Sequence, residues 1–264
     1  QHWLPCDSAL AVQTENVQPP IPYTRSIAHE AGWQWRIPLQ HRTGNGLVYC
    51  SKFWSRDEAE AKLRGNLEGE LVTDPRPIKF QTGTRRRHWV KNCVAVGLSS
   101  GFMEPLESTS IHLIQRSIVR FMQMFPSDGV RQPDIEEFNN QMKFEIENIR
   151  DFIILHYHVT NRTDTPFWRH CRTMEIPESL QHRIDLFKET GRVFKVPTEL
   201  FGENSWTQVM LGQGLSPEQY HPIVNMMDEQ ELRDFLGGIH GSVERLVSQL
   251  PEHQRFIDHY CREA

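Results

Sequence analysis

The sequence lacks the features that mark membrane, disulfide-linked and zinc proteins. No run of about 18 consecutive apolar residues occurs, so no segment is predicted to span a membrane. The five cysteines are odd in number and far apart, and neither C-x-x-C nor H-E-x-x-H is present, so we expect no disulfide framework and no metal site. This use of cysteine favours a reducing compartment, and we expect the protein to be cytoplasmic.

The sequence also lacks an excess of positive charge. The chain of 264 residues has 29 Lys and Arg against 34 Asp and Glu, a net charge of −5. Its one basic cluster, residues 85–87, is predicted to be a solvated strand or turn, and the acidic balance argues against a nucleic-acid partner. With 38% hydrophobic and 24% charged residues, the composition is that of a folded globular protein and excludes intrinsic disorder.

The first part of the chain is predicted to be rich in strands. Residues 33–40 alternate apolar and polar side chains, the period-two pattern of a half-buried strand. Residues 44–46 are Gly-Asn-Gly, which can supply the positive φ angles of a hairpin turn, and a second strand is predicted over 47–54. Ser55 with Glu58 forms the pattern of a capping box, so a short helix is expected to follow.

The second part of the chain is predicted to be mainly helical. Ser108 or Thr109 can cap one helix, and a longer helix with apolar residues at three- and four-residue spacing is predicted from Asp134 onward. We therefore predict an α+β protein with a strand-rich portion over residues 1–107 and a helical region over residues 108–264.

A loop of small residues precedes the first of these helices. Gly97 and Gly101 bracket it and would let a ligand approach the backbone closely. The helix that follows presents the N–H groups of Thr109 and Ser110, and a helix N-terminus can hold a halide or a phosphate. The alternative is a helix with an acidic N-terminus and no ligand, which the residues alone favour.

Two carboxylates and two tryptophans are further candidates. Glu104 or Glu107 could act as a base or stabilise a cation beside a cavity, but a glutamate before a helix commonly only compensates its dipole. Trp33 and Trp35 would share one face of a strand, where they could wall a flat cavity or simply pack in the core.

Two motifs resemble those of the flavin-dependent tryptophan halogenases. Residues 33–38 match W-x-W-x-I-P, and residues 101–109 match G-F-x-E-P-L-E-S-T. The resemblance extends over essentially the whole chain. It implies part of a flavin-monooxygenase-like FAD-binding fold with a mixed sheet, followed by a mainly helical C-terminal region. The implied activity uses reduced FAD, oxygen and chloride or bromide to make hypohalous acid, which halogenates an electron-rich aromatic such as tryptophan or indole.

The resemblance also implies roles for particular residues. Glu107 would be the catalytic carboxylate near the substrate ring, and Ser108 would help to join the flavin and substrate sites. The amides of Thr109 and Ser110 would bind the halide. The flavin would contact the backbone of Leu98 and Ile111. It would be separated from the substrate by the side chains of Trp33, Trp35, Ile37 and Pro38.

Some family features are missing. The G-x-G-x-x-G loop and the catalytic lysine do not occur, and we expect both to precede Gln1, which would make this chain the C-terminal portion of a longer protein. Ser110 stands where many members have glycine. The resemblance implies a transient flavin reductase partner, an aromatic small-molecule substrate and a homodimer. A related flavin monooxygenase and a non-catalytic aromatic-binding module remain alternatives.

Overall fold

A computed structural model describes residues 2–261 and confirms the α+β class. Its main sheet has five strands in the order β2-β3-β4-β1-β5. Each neighbouring pair is antiparallel. A mixed sheet would need a parallel pairing, and none occurs within residues 2–261. The strands are β1 (Ser8–Thr14), β2 (Arg25–His29), β3 (Gly32–Pro38), β4 (Thr43–Tyr49) and β5 (Arg76–Lys79).

The predicted strand at residues 33–40 is confirmed as β3, but the predicted turn at residues 44–46 is wrong. The chain reverses earlier, where the Leu39 N–H donates to the Arg42 carbonyl at 2.9 Å. Gly46 lies inside β4 and pairs with Trp35, and a Cβ on Gly46 would lie 2.0 Å from an indole carbon of Trp35. Glycine is therefore required at position 46 for close packing and not for a positive φ.

A single methyl group at position 46 should destabilise the fold. We expect Gly46→Ala to lower the free energy of unfolding by about 1–3 kcal/mol, because the new Cβ overlaps the Trp35 ring and β3 must shift. Gly44→Ala is the matched control, since its Cβ would meet nothing nearer than the Ile37 carbonyl oxygen at 3.7 Å. Urea unfolding of both variants checks the prediction, and equal losses of stability would contradict it.

Eight helices and four short strands complete the described chain. The Ser55–Glu58 capping box begins α1 as predicted, and α3 begins at Gln132, shortly before Asp134. No helix within residues 2–261 is long and apolar enough to cross a membrane. The short strands are β6 (Gly83–Thr84), β7 (Trp89–Val90), β8 (Cys93–Val94) and β9 (Gly101–Phe102). The helices are α1 (Arg56–Gly65), α2 (Ser110–Gln123), α3 (Gln132–His158), α4 (Pro166–Thr173), α5 (Glu178–Thr190), α6 (Glu203–Gly212), α7 (Glu229–Gln249) and α8 (His253–Tyr260).

The sheet buries both of its faces. Leu10 and Leu47 pair on one face and pack with Leu63 of α1. Trp33 and Val48 pair on the other face and belong to the larger core, whose most buried members come from α3, α4 and α5. Because side chains alternate along a strand, the period-two pattern of β3 places both of its tryptophans toward the helical side. The long helix α3 therefore packs on the side of the sheet that carries Trp33 and Trp35.

Candidate functional site

Strand β3 and the loop that precedes α2 are joined by a buried hydrogen bond. The indole N–H of Trp33 donates to Glu104 Oε1 at 2.8 Å. Trp35 lies next to Trp33, with ring centroids 6.0 Å apart and ring planes inclined by 56°. The W-x-W-x-I-P motif (residues 33–38) and the G-F-x-E-P-L-E-S-T motif (residues 101–109) are therefore in direct contact, although they are distant in sequence.

The two tryptophans line a cleft of about 470 Å³, part of which is open to solvent. Ser108 is part of the same wall, so the structure brings together residues from both motifs. Pro38 is not among the lining residues and instead ends β3 opposite Thr43. The cavity is lined by Thr24, Ser26, Trp33, Trp35, Ile37, Pro105, Leu106 and Ser108.

A second cleft of about 500 Å³ lies on the other side of this loop. Gly97, Leu98 and Ser110 are among its lining residues. Leu98 is 81% exposed, and Ile111, the residue after Ser110, is 70% exposed. Such exposure of large apolar side chains beside a cleft is a common sign of a binding surface.

The turn over residues 108–110 separates the two clefts. Ser108 adopts the left-handed conformation (φ 52°, ψ 34°) after the short 3₁₀ turn Pro105–Glu107. Thr109 occupies the N-cap position of α2, one of the two predicted positions, but within residues 2–261 no side chain accepts a hydrogen bond from the helix at that cap.

Polar groups of this turn lack protein partners. Thr109 is buried, and its Oγ1 has no hydrogen-bond partner among the residues that the structure describes. Within residues 2–261, the N–H groups of Thr109 and Ser110 also donate to no protein acceptor. A helix N-terminus with free N–H groups attracts an anion, so the turn is chemically suited to a halide.

Glu107 is the more accessible of the two candidate carboxylates. Its Oε1 lies 2.9 Å from Nε2 of His156 at the end of α3, and both side chains are partly exposed. Sequence analysis missed His156. The only local signal was the proximity of His156 and His158, which suggests a metal site more readily than a carboxylate partner. Across residues 2–261, no three His, Cys, Asp or Glu side chains are placed to hold a metal ion.

Glu104 is fully buried. Its Oε1 accepts hydrogen bonds from the Trp33 indole and the Tyr157 hydroxyl, while Oε2 has no partner in the described part of the chain. Burial raises the pKa of Glu104 from 4.5 to about 7, and the two hydrogen bonds only partly offset this rise. Glu104 therefore connects β3 to α3 inside the core, whereas Glu107 is partly exposed.

Comparison with known proteins adds independent evidence. The family model described as "Tryptophan halogenase" matches residues 1–229. The chain is 34% identical over 266 residues to tryptophan 6-halogenase SttH of Streptomyces toxytricini, covering 97% of this chain and 50% of that protein. It is 31% identical to tryptophan 7-halogenase RebH of Lentzea aerocolonigenes, covering 95% of this chain and 51% of that protein. The chain thus spans about half the length of these curated relatives.

Solved structures of similar proteins share the fold. Xcc4156, a flavin-dependent halogenase from Xanthomonas campestris, superposes with a TM-score of 0.97 at 55% identity over 99% of this chain and 53% of that one. BrvH, a flavin-dependent halogenase from Brevundimonas sp. BAL3, superposes with a TM-score of 0.93 at 48% identity over 97% of this chain and 52% of that one.

Proposed function

The chain belongs to the tryptophan halogenase family, and on that premise we propose that it is part of an FADH2-dependent halogenase. The protein would use oxygen and chloride or bromide to halogenate an electron-rich aromatic such as tryptophan or indole. One observation carries the proposal. The turn over residues 108–110 lies between two clefts, with Ser108 lining the aromatic cavity and Ser110 lining the other.

On the substrate side, the cavity beside Trp33 and Trp35 suits a flat aromatic ring. Glu107 lies between Leu106 and Ser108, both of which line that cavity. When an electrophilic halogen adds to a ring carbon, positive charge develops on the ring and the proton on that carbon must leave. A carboxylate at this position can stabilise the charge and accept the proton. We assign Glu107 this role and Ser108 the link between the two sites.

On the other side, the second cleft would form part of the flavin site. Gly97 and Leu98 line it, and the exposed Ile111 follows Ser110, another lining residue. Reduced FAD, when bound, supplies with oxygen the oxidising power that turns a halide into an electrophile. The amides of Thr109 and Ser110 would hold the halide at the mouth of α2, where the helix dipole favours an anion. Trp33, Trp35, Ile37 and Pro38 would keep the flavin and the substrate apart.

The remaining assignments follow from the family and complete the proposal. We divide the chain into a strand-rich portion of the FAD and substrate domain over residues 1–107 and a helical region over residues 108–264. A separate flavin reductase would deliver reduced FAD by transient contact. We place the protein in the cytoplasm and expect a homodimer.

The experiment is a product assay. The full-length protein that carries this chain is incubated with FAD, a flavin reductase, NADH, bromide and indole, and the product is identified by mass spectrometry. We expect a brominated indole. A hydroxylated product would instead support a flavin monooxygenase, and binding of indole without any flavin-dependent product would support a non-catalytic module. Either result would overturn the proposal.

A further inference from the structure

The last turn of α3 contacts both carboxylates of the segment that leads into α2. Tyr157 donates to Glu104, and the neighbouring His156 meets Glu107. The two contacts differ in burial, since Glu104 lies inside the core and Glu107 is partly exposed and follows Leu106, a lining residue of the aromatic cavity. The more exposed pair is therefore the one that can influence a ligand.

The side chains of His156 and Glu107 meet at ion-pair distance. Nδ1 of His156 lies 2.8 Å from the Phe152 carbonyl oxygen, which can only accept, so Nδ1 carries a hydrogen. Nε2 lies 2.9 Å from Glu107 Oε1. The ring nitrogen that faces the carboxylate is therefore the one that the backbone of α3 leaves available.

The histidine itself is held in place. The Phe152 carbonyl anchors its Nδ1, and the Phe152 ring packs edge-on against the imidazole at 4.9 Å with an interplanar angle of 89°. Holding a glutamate in one rotamer costs conformational entropy, so a fixed partner is needed to keep Glu107 in one orientation. The imidazole provides that partner from a rigid helix.

We propose that His156 is a positioning residue for Glu107, fixing its Oε1 so that Oε2 points to the substrate ring. This rests on the proposed function. When the ring loses its proton, the electrons of the C–H bond return to the ring and the proton passes to Oε2 of Glu107. His156 does not touch the substrate in this scheme and acts only through the carboxylate.

Two substitutions separate positioning from simple packing. A glutamine side chain can place its amide nitrogen near the position of Nε2, whereas asparagine reaches only the position of Nδ1. In the full-length protein we expect His156→Asn to lower halogenated product per flavin oxidised by about 30-fold, since a misplaced catalytic group can cost about 100-fold. His156→Gln should restore most of that loss and remain within about fivefold of the parent. Equal losses in both variants would overturn the positioning role.

A second measurement does not depend on product formation. Histidine-selective ¹⁵N NMR of the same protein can follow the Nε2 signal of His156, which His156→Asn identifies by removing it. We expect Glu107→Gln to shift this signal, whereas Glu189→Gln, a change at an exposed residue on α5, leaves it in place. No shift would overturn the contact even if halogenation is observed. A shift without any halogenated product from the parent protein would instead refute the proposed function, and the positioning role with it.

Discussion

Replacing Glu107 with glutamine in the full-length protein should lower the rate of halogenated product formation by about 100-fold or more, while flavin oxidation changes by less than about threefold. General acid–base catalysis contributes about 100- to 10,000-fold, and glutamine cannot accept the proton that leaves the ring. Glutamine keeps the size of the side chain and an oxygen that can meet His156 Nε2. The loss should therefore come from chemistry and not from packing.

The difference between the two rates follows from where Glu107 lies. Its neighbours Leu106 and Ser108 line the aromatic cavity, whereas Ser110 lines the cleft assigned to the flavin. A change at Glu107 should therefore reach the ring reaction directly and the flavin only through the intervening turn. Electrophile that is not captured by the substrate would be lost to solvent, so flavin oxidation would continue without product.

The measurement compares product by chromatography with NADH consumed in the presence of a flavin reductase. Glu189→Gln is the matched control, because Glu189 is exposed on α5 and the substitution is chemically identical. It should leave both rates near those of the parent. Equal losses of product and flavin oxidation in Glu107→Gln would contradict a role at the substrate ring and place the residue on the flavin side.

Local pattern was sufficient for some elements of the fold. The alternation of β3 and the three- and four-residue spacing of α3 each depend on residues close in sequence, and both elements are confirmed. The turn at residues 44–46 was predicted wrongly because glycine serves two purposes that look the same in a sequence. The tertiary neighbours of Gly46, the Trp35 ring and the Leu10 carbonyl oxygen on the two adjacent strands, show that it is needed for space.

The candidate site also combines features that local sequence predicts with features that depend on tertiary contacts. The motifs identify Glu104 and Glu107 as residues of one type three positions apart, and nothing local distinguishes them. Their environments are set by contacts from distant parts of the chain, with Trp33 and Tyr157 around Glu104 and His156 beside Glu107. Burial and partners of this kind depend on tertiary packing. The family resemblance could single out Glu107, but the residues alone could not show that Glu104 is buried and Glu107 partly exposed.

The buried carboxyl of Glu104 should make the stability of the protein fall as the pH rises from about 4.5 to about 7. Burial raises the pKa of Glu104 from 4.5 to about 7 in the folded protein, so the folded state binds more protons than the unfolded state within that window. Stability decreases with pH wherever the native state holds the extra proton. A shift of this size corresponds to about 3 kcal/mol, present below pH 4.5 and lost above about pH 7.

Glu104→Gln should remove this dependence, because glutamine resembles the protonated carboxyl and its oxygen can still accept from Trp33 and Tyr157. We expect the free energy of unfolding of the variant, relative to the parent, to rise by about 3 kcal/mol between pH 4.5 and pH 8. Urea unfolding at several pH values measures that difference, and taking the difference cancels the titration of all other groups. Glu189→Gln should show no such trend. A constant difference between Glu104→Gln and the parent across this range would mean that Glu104 ionises in the core as readily as in water, because its pKa would then be the same in the folded and unfolded states.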